Sequence, residues 1–113
     1  MDKLIIKVGA NPINDLRSVW NNPTKDKMGK YYTYVNNTSE LQSLLSSQRL
    51  SLIMEVMKEQ NDISTTAKKL GRKQEAISRD ATILAQAGII TKTKKGKNTF
   101  LKPRIKKIEI DFS

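Results

Sequence analysis

The pattern of apolar and polar residues divides the chain into short strands and short helices. Residues 4–8 (LIIKV) and 31–35 (YYTYV) are short runs rich in β-branched or aromatic side chains, which favours strands. Between them, Asn11 and Pro12 precede apolar residues at helical spacing, which predicts a short packing helix. Residues 21–30 mix Pro, Gly and Asn with charge and show no period, so they predict a loop.

Two helices are predicted next. Asn37 is suited to cap the first, with Glu40 reaching back from the third helical position. Its apolar face consists of Leu41, Leu44 and Leu45. The second helix begins near Ser47, and its expected buried stripe consists of Leu50, Ile53, Met54 and Met57. We therefore expect these methionines to fill the core rather than to bind a cofactor.

The following two helices are joined by a tight glycine turn. Ser64 is the expected cap of a short helix that ends at Leu70, and Gly71 can adopt the left-handed conformation that terminates it. A longer, basic helix is predicted over residues 73–87, and Gly88 closes it. Its inward residues are expected to be Ile77, Ala81 and Leu84. This pair of helices is typical of a helix-turn-helix.

The remaining chain predicts strands. Residues 89–102 form a strand, a turn and a second strand, with Gly96 supplying the positive φ that a tight hairpin needs. This hairpin is a basic wing beside the longer helix. After Pro103, the apolar residues Ile108, Ile110 and Phe112 alternate with charged residues, which predicts a strand with one buried face.

The distribution of charge along the chain indicates what the protein binds. Residues 64–107 contain 13 Lys and Arg but only two acidic residues, Glu75 and Asp80, so the net charge of +10 comes from this segment. A localised basic excess is most simply a footprint for a polyanion, of which nucleic acid is the commonest. The alternative is a charged surface that only solubilises the protein. The tyrosines of residues 31–35 are expected to pack in the core or at a sheet edge rather than to stack on bases.

Several function classes are disfavoured by composition. The chain has no Cys and no His, which excludes disulfides, thiolate or imidazole catalysis and Cys/His zinc sites. The acidic residues are scattered, so we expect no catalytic residues, no metal and no cofactor. Because no apolar run approaches the roughly 18 residues of a membrane-spanning helix, we expect no membrane association and a cytoplasmic location.

Residues 41–112 resemble winged helix-turn-helix transcription regulators. The resemblance rests on the segments LQSLLSSQRLSLIMEVM and ISTTAKKLGRKQEAISRDATILAQAGII followed by the KKGK hairpin. More narrowly, the chain resembles small archaeal and bacterial regulators of MarR-like appearance. The resemblance implies an α+β winged helix-turn-helix with an additional N-terminal strand and helix and a C-terminal strand. The expected parts are an N-terminal extension (1–36), the DNA-binding domain (37–102) and the C-terminal strand (103–113).

In such a fold, the second helix of the pair enters the major groove and the wing follows the phosphate backbone or the minor groove. The residues expected to contact bases are Gln74, Glu75, Ser78 and Arg79. For Glu75, an ion pair with Arg79, one helical turn away, is a simpler expectation than a base contact. The residues expected to contact the DNA backbone are Lys68, Lys69, Arg72, Lys73 and Thr82. The wing residues are Lys92, Lys94, Lys95 and Lys97.

The sequence therefore predicts a sequence-specific regulator that binds double-stranded DNA, acts as a repressor and forms a homodimer. Two alternatives stay open. One is an antitoxin, which represses its own gene and has a toxin as partner. The other is an architectural protein that coats nucleic acid through charge alone.

Overall fold

The structure, a computed structural model, describes residues 3–9, 23–25 and 27–112. In chain order, the described elements are β1 (Lys3–Val8), β2 (Thr24–Lys25), β3 (Tyr31–Val35), α1 (Thr38–Leu44), α2 (Ser47–Lys58), α3 (Ile63–Leu70), α4 (Gln74–Gln86), β4 (Ile90–Lys95), β5 (Asn98–Pro103) and β6 (Lys107–Asp111). This mixed order confirms the predicted α+β class. The helix predicted after Pro12 lies outside the described residues.

The strands form two sheets. The larger sheet has the order β2-β3-β1-β6, in which β1 pairs in parallel with both β3 and β6. The short β2 pairs antiparallel with β3, so a strand occupies part of the segment for which only a loop was predicted. The smaller sheet is the antiparallel hairpin of β4 and β5. The three-part division of the chain stays a prediction, although residues from its first and last parts share the larger sheet.

One hydrophobic core joins the larger sheet to the helices and the hairpin. Its fully buried large side chains include Leu4, Ile6, Leu44, Leu52, Ile77, Leu84, Ile89 and Leu101. Truncating a Leu or Ile of this kind to Ala typically costs about 2–5 kcal/mol, because the cavity left behind refills only partly. The helix-turn-helix, the wing and the sheet therefore stabilise one another through shared side-chain packing.

Helix α1 begins as predicted. Asn37 Oδ1 accepts a hydrogen bond from the backbone N–H of Glu40 at 2.9 Å. The Glu40 carboxylate in turn accepts from the backbone N–H of Asn36 at 2.6 Å, one residue earlier than in the predicted capping box. Leu44 is fully buried, and Leu41 and Leu45 are partly buried against the core.

The predicted buried stripe of α2 is wrong for three of its four residues. Leu50, Met54 and Met57 are 42%, 72% and 38% exposed, so these methionines do not fill the core. The buried apolar residues are instead Leu52, Ile53 and Val56. Arg49 shares this inward side, where its guanidinium pairs with the carboxylate of Asp80. A search for apolar spacing misses such a face, because one of its positions is an arginine.

Two other local predictions are also wrong. Helix α3 is capped by Asp62, whose Oδ1 accepts from the backbone N–H of Thr65 at 2.8 Å, and Ser64 lies inside the helix. The C-terminal strand buries less than its alternation suggests, because β6 is at the edge of the sheet. Ile110 is 39% and Phe112 is 68% exposed, while Ile108 packs partly against the core.

Candidate nucleic-acid interface

The turn between α3 and α4 fixes the angle of the second helix. Gly71 ends α3 with a φ of +64°, in the left-handed region that favours glycine. Helix α4 begins at Gln74, and Lys73 is its N-cap residue without a side-chain capping bond. Its first backbone N–H groups are therefore free of a protein side-chain cap and remain available to an anion.

The inward face of α4 contains the three apolar residues that were predicted. Ile77, Ala81 and Leu84 are all fully buried. The same face contains a buried acid, Asp80, for which the sequence analysis assigned no role. In the sequence, Asp80 was notable only as one of two acidic residues in a strongly basic segment.

Asp80 holds two arginines from neighbouring elements. Arg49 Nε of α2 donates to Asp80 Oδ1 at 3.1 Å, and Arg72 Nη2 donates to Asp80 Oδ2 at 2.7 Å. Both arginine side chains are only 16% exposed and that of Asp80 is 9% exposed. Arg72 was predicted to meet phosphate, but the structure turns its guanidinium inward. Arg72 thus supports the turn between α3 and α4 and is not a free cation on the surface.

The outward face of α4 borders an open groove. The lining residues come from the start of α3, from α4 and from the wing, and are Asp62, Ile63, Ser64, Gln74, Glu75, Ser78, Arg79, Thr82, Lys97, Asn98 and Thr99. The structure therefore brings together all four residues predicted to contact bases, with Thr82 and one wing lysine beside them. The expected ion pair between Glu75 and Arg79 is absent from the part of the chain that the structure describes.

The polar side chains of this groove have few internal partners. Gln74 Nε2 donates to Ser64 Oγ at 3.3 Å, which links the first turn of α4 to α3. Arg79 is exposed, and within residues 27–112 its guanidinium has neither an ion pair nor a hydrogen-bond partner. An unpaired guanidinium that faces an open groove is available to bind an acceptor from outside the protein.

The wing is tied to α4 by a lysine. Lys92 Nζ donates to Thr82 Oγ1 at 2.8 Å, and Thr82 Oγ1 donates to the backbone carbonyl of Ser78 at 2.9 Å. The base of the wing is also fixed, because the backbone N–H of Leu101 donates to the carbonyl of Asn61 at 2.9 Å. Lys92 and Thr82 therefore set the position of the wing relative to the helix.

The tip of the wing is a two-residue loop, Gly96 and Lys97. Gly96 has a φ of +63°, which confirms the predicted tight turn. Lys94, Lys95 and Lys97 are all exposed on the wing, and Lys95 Nζ lies 5.7 Å from the centre of the Phe100 ring. The tip thus concentrates three positive charges at one end of the groove.

The remaining lysines that were predicted to contact the DNA backbone differ in whether they pair with another group of the protein. Lys68 and Lys73 are exposed and make no ion pair or hydrogen bond within the described ranges. Lys69, in contrast, pairs with the Glu59 carboxylate of α2. The hydrogen bond from Lys69 holds the pKa of Glu59 below its usual value, and the same bond raises the pKa of Lys69. A phosphate would have to compete with Glu59 for this lysine.

The larger sheet contacts the C-terminal end of α4. The buried Thr33 hydroxyl of β3 donates to the backbone carbonyl of Ala87 at 2.8 Å. At Gly88, where φ is +86°, an added Cβ would lie 2.3 Å from Cγ of Pro23. Arg104 also lies over the Tyr31 ring, 5.9 Å from its centre. The sheet therefore positions the end of α4 that is remote from the groove.

The described part of the chain offers neither a membrane-spanning helix nor a cluster of metal ligands. No helix there is long and apolar enough to cross a membrane. Residues 3–9, 23–25 and 27–112 also contain no group of three or more acidic side chains that could hold a metal ion.

The fold is similar to that of winged helix-turn-helix structures. Reduced HlyU from Vibrio cholerae N16961 is 16% identical, with a TM-score of 0.52 over 59% of this chain and 70% of that one. The homodimeric winged helix-turn-helix DNA-binding domain Mb0332 from Mycobacterium bovis, a possible ArsR-family transcriptional regulator, is 13% identical, with a TM-score of 0.52 over 59% and 63%. Apo-NmtR is 21% identical, with a TM-score of 0.50 over 59% and 56%. These similarities confirm the winged helix-turn-helix fold.

These similar structures do not support the narrower MarR-like resemblance. The chain spans less than two thirds of the Mycobacterium bovis and NmtR chains. No curated protein matches the sequence. The model of the HVO_A0114 family matches residues 44–110, which run from the last residue of α1 into β6. With more than half of its length covered by this match, the chain belongs to the HVO_A0114 family.

Proposed function

We propose that this protein is a transcription regulator that binds double-stranded DNA in a sequence-specific way. The observation that carries the proposal is the groove between α4 and the wing. There, the unpaired guanidinium of Arg79 and the amide of Gln74 face solvent, close to the exposed Lys97. Solved structures with this fold include a winged helix-turn-helix DNA-binding domain, which supports the same use of the surface here.

In the proposed complex, α4 lies in the major groove, where each base pair presents a distinct set of donors and acceptors. Arg79 donates in bidentate fashion to guanine, and Gln74 pairs with adenine. Ser78 is adaptable, and Glu75 accepts from the amino group of cytosine. Glu75 is available for this role because it has no ion pair in the described structure.

The wing and the turn supply contacts that position the protein on the duplex. Lys94, Lys95 and Lys97 neutralise phosphates or enter the minor groove, and Lys68 and Lys73 meet the phosphates beside α4. Among the other predicted backbone contacts, Arg72 is occupied by Asp80, and Lys69 contributes only after leaving Glu59. Lys92 and Thr82 act chiefly by fixing the wing to the helix.

The finer features of the function are part of this proposal. A single winged helix reads few base pairs, so we propose that a homodimer binds two half-sites about one helical turn apart. A dimer bound over a promoter would act as a repressor. The MarR-like resemblance bears only on the class of transcription regulator, and it assigns no further residue to the DNA-binding site.

The test is to incubate the protein with sheared genomic DNA at near-physiological salt and to sequence the retained fragments. The Arg79→Ala variant serves as the matched control, because it keeps every wing lysine. We expect a recurring, palindromic motif for the wild-type protein and weaker enrichment of that motif for the variant.

Uniform retention without a motif would instead show a protein that coats nucleic acid through charge, and would overturn sequence-specific regulation. A motif found only upstream of the protein's own gene, beside a short toxin-like reading frame, would favour the antitoxin alternative. Because phosphate contacts make any DNA affinity strongly dependent on salt, the comparison is made at one fixed salt concentration.

A further inference from the structure

Strand β6 leaves one edge of the larger sheet open. It pairs with β1 on one side, and no strand among the described residues lies on the other. Such an edge presents backbone N–H and C=O groups that can pair with another chain. The edge is also apolar in part, since Ile110 is 39% and Phe112 68% exposed. Natural edge strands are usually protected, so an open apolar edge indicates a partner.

We propose that β6 pairs antiparallel with β6 of a second copy of this chain, about a two-fold axis that passes beside Glu109. This pairing joins the two four-stranded sheets into one continuous sheet of about eight strands. In this register, Lys107 lies opposite Asp111 of the second copy, and Ile108 lies opposite Ile110 of the second copy. Two-fold symmetry repeats both pairs on the other side of the axis.

Charge favours this register over the one centred on Ile110. Pairing about Glu109 places two pairs of unlike charges, Lys107 with Asp111, across the interface. The only like-charged pair is Glu109 opposite Glu109 of the second copy. Within each copy, Lys3 Nζ lies 3.7 Å from the Glu109 carboxylate. Pairing about Ile110 would instead place Glu109 opposite Asp111 twice. Like charges directly opposite one another destabilise a strand pair, so the register about Glu109 is favoured over the register about Ile110.

The apolar residues fit the same register. Ile108 and Ile110 are paired with Leu4 and Ile6 of β1, so they lie on the face of the sheet that packs on the core. In the proposed register, Ile108 of each copy lies opposite Ile110 of the other, so the apolar face continues from one copy to the next. The opposite face of β6 bears Glu109 and Asp111, which pair within each copy with lysines of β1.

The interface is small, because each strand contributes five residues. Interfaces at the lower end of the size range are weak, so we expect a dissociation constant on the order of micromolar. The oligomeric state is therefore measured by sedimentation equilibrium from about 1 to 100 micromolar. DNA is left out, so that the result does not depend on DNA binding.

The first variant to compare is Lys107→Glu. Lys107 is exposed and makes no ion pair within the described chain, so the change leaves the contacts of the monomer intact. It places two carboxylates at each end of the proposed interface, and we expect dimerisation to weaken at least tenfold. The matched control is Lys58→Glu, which makes the same charge change on α2 and should leave dimerisation unaltered. Adding Asp111→Lys to Lys107→Glu should restore much of the affinity.

A purely monomeric wild-type protein at 100 micromolar would overturn the proposal. So would a dimer that resists Lys107→Glu but dissociates on Met54→Glu, because the exposed side of α2 would then be the interface. Circular dichroism spectra of each variant establish that the monomer is folded.

The register has its own test, which uses the absence of cysteine from the chain. Directly opposed residues of an antiparallel pair have Cα atoms about 4.5–5.5 Å apart, within reach of a disulfide. Glu109→Cys should therefore form disulfide-linked dimers on mild oxidation. Ile110→Cys should not, because the two copies of residue 110 lie on a diagonal about 7–8 Å apart. Efficient linkage through Ile110→Cys with little through Glu109→Cys would overturn the register about Glu109.

Discussion

Arg72 Nη2 donates to Asp80 Oδ2 at 2.7 Å, across the turn that connects α3 to α4. The other oxygen of the same carboxylate accepts from Arg49 of α2. One buried acid on the proposed recognition helix therefore joins α4 to the preceding turn and to α2. The Nη1 atom of Arg72 is buried and has no hydrogen-bond partner in the described structure. The position of this arginine thus depends strongly on Asp80.

Asp80→Ala should destabilise the fold by about 3–5 kcal/mol, because it leaves two arginines buried without their counter-charge. Urea unfolding measures the change in the free energy of unfolding. The control is Glu75→Ala on the same helix, where the carboxylate is exposed and unpaired in the described residues, with an expected effect within about 0.5 kcal/mol. Equal effects of the two substitutions would show that the buried cluster does not stabilise the fold.

Arg79→Ala and Lys95→Ala should affect DNA binding in different ways. Because Arg79 faces the groove without a partner, its loss should lower discrimination at one base position by about 1–3 kcal/mol. Lys95 is exposed on the wing, so its loss should weaken binding to all sequences about equally and lower the salt dependence. Titrations of both variants against the selected motif and its single-base variants measure the effects. If the two variants lost the same discrimination, the division of roles between helix and wing would be wrong.

The sequence was sufficient to predict elements whose signals are local. The Asn37 cap and the turns at Gly71 and Gly96 need only neighbouring residues, and the structure confirms all three. The apolar spacing of α4 was equally informative, because Ile77, Ala81 and Leu84 all point to the core. These residues placed the outward face of α4 correctly before its surroundings were known.

The errors have a common physical cause, which is contact between residues distant in sequence. Arg49 and Asp80 are 31 positions apart, and no helical period relates them. Their pairing accompanies the burial of Leu52, Ile53 and Val56 on the inward side of α2, while Met54 lies exposed. The edge position of β6 likewise depends on the order of strands in the sheet, so alternation alone could not predict the exposure of Ile110.

Asp62 should make the stability of the protein sensitive to acid. Hydrogen bonds from Thr65, first from its side chain and then from its backbone N–H, hold the pKa of Asp62 below its usual value. A lowered folded-state pKa means that this stabilisation is present above the unfolded-state pKa of about 3.9 and is lost as the pH falls through the lower folded-state value. Melting temperatures at pH 6 and pH 3 measure the loss.

The matched variant for this prediction is Asp62→Asn, which keeps a capping oxygen but cannot titrate in this range. Its melting temperature should fall less between the two pH values than that of the wild-type protein. An identical fall in both proteins would show that Asp62 contributes nothing to the acid sensitivity.

Gly88→Ala should be more damaging than Gly71→Ala, although both glycines have positive φ. At Gly71 an added Cβ meets nothing within 4 Å, so only the backbone penalty of roughly 1–2 kcal/mol applies. At Gly88 the Cβ would lie 2.3 Å from Cγ of Pro23, and the larger sheet would have to move away from the end of α4. Urea unfolding of the two variants isolates this contact, because the backbone terms are similar and largely cancel in the difference. A Gly88→Ala variant as stable as Gly71→Ala would mean that the segment bearing Pro23 yields freely, and that the sheet does not fix the end of α4 at this point.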